Sequence, residues 1–144
     1  ISAGMSTSGN VMRLAAEELG ASDRIKVIDS ANLSTGIGLL VVEAAIMAKN
    51  NRTTSQIVSE IEKLKPNVRA SFVVDTLTYL YRGGRCNAVA AMAGGVLKLH
   101  PRIVVEDGAM NASKKYRGKI ASVVMNYVKD MEKDLKKRDL NAYL

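Results

Sequence analysis

The sequence predicts an α/β protein in two parts. The first is a parallel-sheet α/β domain and the second an α/β part of α+β character. Three observations lead there. Residues 11–66 run helix, strand, loop, helix, helix, the rhythm of a parallel sheet covered by helices. After Pro66–Asn67 the pattern changes to two extended runs around Asp107–Gly108, a hairpin signal. The chain has 144 residues, about one ordinary domain, and 47% of them are hydrophobic, enough for a real core. Pro66–Asn67 is therefore the expected boundary between a part at 1–66 and a part at 67–144.

Each element follows from local chemistry. Residues 11–19 read as a helix, favoured by Ala15 and Ala16 and stopped by Gly20. The run "IKVIDS" at 25–30 is β-branched and predicts a buried strand. "ANLSTGIG" is the loop after it, with Ser34 or Thr35 able to cap the next helix. That helix, about 36–49, is apolar on nearly every face and is expected to be buried. Thr53, Thr54 or Ser55 caps a third helix, whose Ile57, Ile61 and Leu64 share one face. "RASFVVD" is a strand candidate, and "TLTYLYRGG" a short helix stopped by Gly83–Gly84. "NAVAAMAGGVLKLH" reads as a small-residue helix with a weak point or close contact at Gly94–Gly95. Cys86 is expected to be packed there. "PRIVVEDGAM" and "NASKKY" form the hairpin. The last segment sets Ile120, Val124, Tyr127, Met131 and Leu135 on one helical stripe, with Lys129, Lys133, Lys136 and Lys137 facing away.

Composition narrows the functional classes. There is no Trp and one Phe, so the interior is aliphatic, with seven Met that suit either an ordinary core or an irregular apolar cavity. The single Cys86 allows no internal disulfide framework, in agreement with a reducing compartment. The longest apolar run, 37–48, contains Glu43 and is too short for a bilayer. No signal peptide is visible in the opening residues, and the chain reads as a piece of something longer. One His and one Cys supply neither a zinc cluster nor a Cys–His nucleophile pair with spare members. His100, at a strand entry, suits a structural or surface role. Neither GxxxxGK[ST] nor GxGxxG is present. The net charge is +7, and residues 81–119 carry +6 of it: Arg82, Arg85, Lys98, Arg102, Lys114, Lys115, Arg117 and Lys119 against Glu106 and Asp107. Such a concentration suits an anionic ligand, an acidic partner or simply a solvated basic surface.

Two segments carry chemistry. "SAGMSTSGN" at 2–10 places Ser6, Thr7 and Ser8 before the first helix, with Gly4 and Gly9 allowing close backbone approach. The helix turns its N–H groups and the positive end of its dipole toward this loop, so it is either a cap or a cradle for a carboxylate or phosphate. "YRGGR" offers a sharp double-Gly turn beside Arg82 and Arg85, whose guanidinium forks match carboxylate and phosphate oxygens.

At this point the chain resembles the DegV family of fatty-acid-binding proteins. The family's S-S-x-L-S-G-T loop reads "SAGMSTS" here. Thr7 stands for the usual Gly, Ser8 for Thr and Met5 for Leu. Its strand ending in Asp-Ser and S-x-G-x-G reads "VIDSANLSTGIG", and its DTLxYLxxGGR helix and turn reads "FVVDTLTYLYRGGR". "GGVLKLHP", "EDGAM" and "KKYRGKIA" match its later segments in order.

The resemblance implies a two-domain protein of the EDD fold, bacterial and cytoplasmic, that holds a long-chain fatty acid between its domains. It implies no metal and no cofactor beyond that ligand, no enzymatic activity in this subunit, and a separate ATP-dependent fatty acid kinase as partner. On these motifs Ser6 falls on the serine that holds the carboxylate, with Thr7 and Ser8 beside it. Arg85 falls on the arginine of the GGR turn near the carboxylate, and Arg117 on a candidate contact for the kinase. It also implies segments absent here: an N-terminal part with a T-S-x-P-S loop, and a C-terminal stretch with a histidine near the head group. The chain then corresponds to the central part of such a protein.

Two other functions stand beside this one. The family fold is related to dihydroxyacetone-kinase-type domains, so phosphoryl transfer is the alternative. It needs phosphate-binding glycines, Mg²⁺ carboxylates and a base, and Asp29, Asp75 and Asp107 are scattered. The +6 segment could serve a nucleic acid, but it lacks the interleaved aromatics of single-strand binders. No nucleic-acid partner and no membrane span are expected.

Overall fold

The computed structural model describes residues 1–85 and 99–136, with side chains described as far as 133. The expected small-residue helix, with Cys86 and Gly94–Gly95, lies outside them, as do the side chains of Leu135, Lys136 and Lys137. The elements are α1 (Ser8–Glu18), α2 (Ser34–Lys49), α3 (Thr54–Leu64), a 3₁₀ turn (Lys65–Asn67), β1 (Ala70–Val73), α4 (Thr78–Gly83), β2 (Leu99–Glu106), β3 (Ala109–Arg117) and α5 (Ile120–Lys136). The strands form one antiparallel sheet in the order β1-β2-β3, and the fold is α/β.

The chain divides into two compact units. The first comprises Ile1–Ala70 with Val104–Met110, so the tip of the β2–β3 hairpin belongs to it. Three helices dominate this unit. Gly20, at φ +59°, ends α1, and the Gly20 and Ala21 N–H groups bond to Glu17 O and Ala16 O. A complete capping box starts α3: Thr53 Oγ1 accepts from Gln56 N–H at 3.3 Å, and Gln56 Oε1 accepts from Thr53 N–H at 3.0 Å. Ile61 is buried and Ile57 and Leu64 half-buried, the expected face, and α3 packs on α2. Met5, Ala16, Ala21, Leu40, Val105 and Met110 complete the buried apolar set of this unit.

Three expectations fail in this unit. Neither Ser34 nor Thr35 caps α2, whose N-cap position is held by Leu33 with no side-chain cap bond. Only Gly36 and Leu40 of α2 are buried, while Leu39, Val41, Val42 and Ile46 are 48–59% exposed. A helix apolar all round needs cover on more than one side, and among the described residues α3 supplies it on one. Residues 25–30 form no strand. A strand exists through its hydrogen-bond ladder, and no described strand runs beside this run.

The second unit comprises Ser71–Ile103 with Asn111–Leu144. Gly84, at φ +65°, ends α4 as the double-Gly turn predicts. The strands β2 and β3 turn through Asp107 and Gly108, at φ +51° and +74°, the two-residue hairpin geometry that Asp-Gly favours. Period-two alternation buries Met110 and Tyr116 and exposes Asn111, Ser113, Lys115 and Arg117. On α5 the buried position is Val123, with Ile120, Tyr127, Asp130 and Met131 half-buried, whereas Val124 is 41% exposed. The stripe thus keeps Ile120, Tyr127 and Met131 of the expected set and takes Val123 in place of Val124. Tyr127 and Asp130 have polar partners on this side of the helix: Tyr127 donates to Ser71 O at 2.7 Å, and Tyr116 Oη donates to Asp130 at 2.8 Å. His100 is buried and structural, with Nδ1 2.9 Å from Val74 O and Nε2 3.1 Å from Gly118 O.

Candidate functional site

The loop at 2–7 is built by a few long-range bonds. Ser2 is buried, and its N–H donates to Asn32 O at 2.8 Å. Its hydroxyl donates to Gly108 O at 2.5 Å and accepts from Gly4 N–H at 3.1 Å. Its carbonyl accepts from both Met5 N–H and Ser6 N–H at 3.0 Å, which winds the chain into a tight turn. The Asp29 carboxylate takes the Ala3 N–H at 3.2 Å to each oxygen, and Oδ1 also takes the Ala31 N–H at 2.8 Å. Burial raises the Asp29 pKa, but the Ala31 and Ala3 N–H bonds and the Lys65 charge outweigh it, leaving the carboxyl below its ordinary value.

This scaffold presents the hydroxyls. Ser6 is half-buried, and Thr7 and Ser8 are exposed. The Ser6 and Ser8 hydroxyls lie 2.7 Å apart, and Ser6 Oγ accepts the Ser8 N–H at 3.2 Å. Ser6 therefore caps the first residue of α1, while Thr7, in the N-cap position, makes no side-chain cap bond. The Gly9 and Asn10 amides stand in the first turn, where a helix leaves N–H groups without an intrahelical partner. Two hydroxyls and the positive end of an 11-residue helix converge there, an arrangement suited to a carboxylate or phosphate oxygen.

The sequence-predicted residues fall into two groups. Ser6, Thr7 and Ser8 are brought together in the first unit. Arg85 and Arg117 belong to the second. Arg85 is exposed, follows the left-handed Gly84, and folds back so that Nη1 donates to Gly83 O at 2.6 Å. Arg117 ends β3 on its exposed face with Lys115. An apolar groove of about 440 Å³ runs beside α1, lined by Met12, Ala15, Leu19, Ile25, Val27 and Ile28 among others, and none of the three hydroxyl residues lines it. Among the described residues no group of His, Cys, Asp and Glu could hold a metal, and no helix is long and apolar enough to cross a membrane.

Comparison with known proteins now fixes the family. The family described as "Uncharacterised protein, DegV family" matches residues 1–141. This chain belongs to the DegV family. It is 35% identical over 127 residues to a DegV domain-containing protein of Caldanaerobacter subterraneus, covering 87% of this chain and 45% of that one. A DegV domain-containing protein of Deinococcus radiodurans is 36% identical over 118 residues, covering 82% and 41%. The chain thus spans about half the length of the curated DegV relatives it matches.

Solved structures agree in fold. The Thermus thermophilus member, described by its fatty acid binding, has a TM-score of 0.69 at 30% identity over 82% of this chain and 41% of its own. The Bacillus subtilis DegV, a fatty acid binding protein, gives 0.71 at 29% over 94% and 48%. A stearic acid-binding protein of Eubacterium ventriosum gives 0.71 at 28% over 93% and 49%.

Sequence reasoning missed Ser2, Asp29, Asn32 and Gly108 as the frame of the loop. The Asp-Ser pair at 29–30, a side chain prone to bond the backbone two residues on, is the local signal for that role.

Proposed function

We propose that this chain is the central part of a carrier that holds a long-chain fatty acid by its carboxylate and presents that head group to a separate ATP-dependent kinase subunit. The carrying observation is the pair of Ser6 and Ser8 hydroxyls at the amino end of α1. Support comes from similar solved structures of 28–30% identity that are described as binding fatty acids. In this reading Ser6 holds the carboxylate, with Thr7 and Ser8 beside it. Arg85 supplies a cationic contact to the same head group. Arg117, exposed beside Lys115, contacts the kinase. No step in this role needs a metal or cofactor held by this subunit, and the setting is the bacterial cytoplasm. In this reading the boundary between the two family domains is proposed at Pro66–Asn67, four residues before the Ala70–Ser71 division of the compact units.

The energetics divide the work. Burying an acyl chain gains about 0.8 kcal/mol per CH₂, so affinity comes mainly from the tail and the polar loop sets orientation. A hydrogen bond to a charged group contributes about 1.5–3 kcal/mol. Ser6→Ala therefore weakens acid binding by about ten- to a hundredfold and lowers acyl-phosphate formation by the kinase. Arg117→Ala leaves acid binding intact and weakens only the kinase coupling. The deciding measurement is mass spectrometry of a solvent extract of the natively folded protein at its relatives' full length. A stoichiometric fatty acid is expected. An empty protein that takes up no added acid overturns the reading, and ATP turnover by this protein alone would favour phosphoryl transfer instead.

A further inference from the structure

We infer that Asp29 is a positioning residue for the Ser6 loop, tying the segment at residue 3 to the turn at residue 31 through one carboxylate. This deepens the fatty-acid reading and rests on it for its functional consequence.

The geometry is specific. Asp29 accepts the Ala3 N–H on both oxygens and the Ala31 N–H on Oδ1. A carboxylate is acceptor-only with about four lone-pair sites, so one side chain serves both amides without a proton to place. The Ala31 end is under strain: its φ is +49°, a left-handed conformation that non-glycine residues rarely adopt. A side chain bonding the amide two residues on stabilises that turn. The Ala3 end lies one residue from Ser2, whose carbonyl takes the Ser6 N–H. Asp29 thus restrains the same turn that sets Ser6. The Ser2 bonds to Asn32 O and Gly108 O do not involve it, so its removal is expected to leave them in place. The loop then keeps its anchor at residue 2 and loses the restraint at residue 3.

Two variants and two readouts on the full-length protein test this. Asp29→Ala removes both acceptors. Asp29→Asn keeps one carbonyl oxygen, which at the Oδ1 position accepts from both the Ala31 and the Ala3 N–H, and removes the charge. Losing both bonds is expected to speed amide hydrogen exchange at Ala3 and Ser6 by about tenfold and to weaken fatty-acid binding by about tenfold. The Ile61 amide in α3 should not change. Asp29→Asn should recover most of both effects. A fully folded Asp29→Ala protein with wild-type exchange at Ala3 and Ser6 overturns the inference. Binding that tightens in Asp29→Asn overturns it too, because that marks charge repulsion rather than positioning. A wild-type protein that binds no fatty acid removes the fatty-acid reading alone, and the exchange arm still decides the role of Asp29.

Discussion

At the scale of single residues, the candidate site depends on groups that make no approach to a ligand. Gly108 shows this most sharply. Its φ of +74° disfavours any side chain, and a Cβ there would lie 2.7 Å from Ser2 Oγ. Gly20 has a similar φ of +59° with nothing within 4 Å of its Cβ position. Both substitutions to Ala bear a left-handed backbone cost of about 1–2 kcal/mol. Gly108→Ala must also displace the buried Ser2 hydroxyl, adding about 1–3 kcal/mol for the disturbed bond. Urea denaturation should therefore show Gly108→Ala as the more damaging of the two. Only Gly108→Ala should also weaken acid binding, through Ser2 and the Ser6 turn. Equal losses would mean that the Ser2–Gly108 contact adds nothing. Ser6 and Ser8 were legible because they are neighbours in a hydroxyl-rich loop before a helix. Their frame was not, because Ser2 and Gly108 are 106 residues apart and Ala3 and Asp29 are 26 apart. No local pattern encodes such meetings.

At the scale of elements, β3 is fixed to α5 by one polar cluster. Asp130 accepts from Lys114 Nζ and from Tyr116 Oη at 2.8 Å. Burial first, then the Asp130 hydrogen bond and charge, raise the Tyr116 phenol from 10.0 to about 12. The Lys114 bond first, then the Tyr116 bond, lower the Asp130 carboxyl. The signs follow from linkage. Tyr116 has a raised folded pKa, so its contribution to stability is complete below pH 10 and is lost as pH rises toward about 12. Asp130 has a lowered one, so its contribution is present above the ordinary carboxylate value and is lost on acidification through the lowered value. Absorbance at 295 nm should show a late tyrosine ionisation step at about pH 12 that belongs to Tyr116. Asp130→Asn should bring it back toward 10, and an unchanged late step in that variant would refute the assignment. Several elements whose signals are local were readable in advance: a cap among Thr53, Thr54 and Ser55, which Thr53 provides, the Asp107–Gly108 turn and the Gly83–Gly84 stop. Burial and pairing were not. On α5, Ile120, Tyr127 and Met131 keep their expected side, but the buried valine is Val123 and not Val124. Residues 25–30 have strand composition, but composition supplies no partner strand.

At the scale of the whole molecule, the open apolar surface is the main physical fact. Leu39, Val41, Val42 and Ile46 of α2 are exposed, as are Val11, Met12 and Leu14 of α1 and Leu19 just after it. Single exposed apolar residues are ordinary, but contiguous apolar faces on a soluble protein mark a surface meant for cover. The chain spans about half the length of its curated relatives, 45% of one and 41% of another. The 144-residue chain on its own should therefore bind the dye ANS strongly and self-associate at micromolar concentration. A protein of the relatives' full length should do neither. Leu39→Glu separates the two cases. In the isolated chain it removes exposed apolar surface and reduces self-association. In the longer protein it forces a charge into a covered face, at a cost of several kcal/mol. Light scattering and ANS fluorescence read the first effect, and denaturant midpoints the second. If the isolated chain proves monomeric and silent to ANS, and Leu39→Glu leaves the longer protein's midpoint in place, the α2 face is a solvent face. The apolar composition of that helix would then need a different cause, since burial in the complete protein is what accounts for a helix with no polar side.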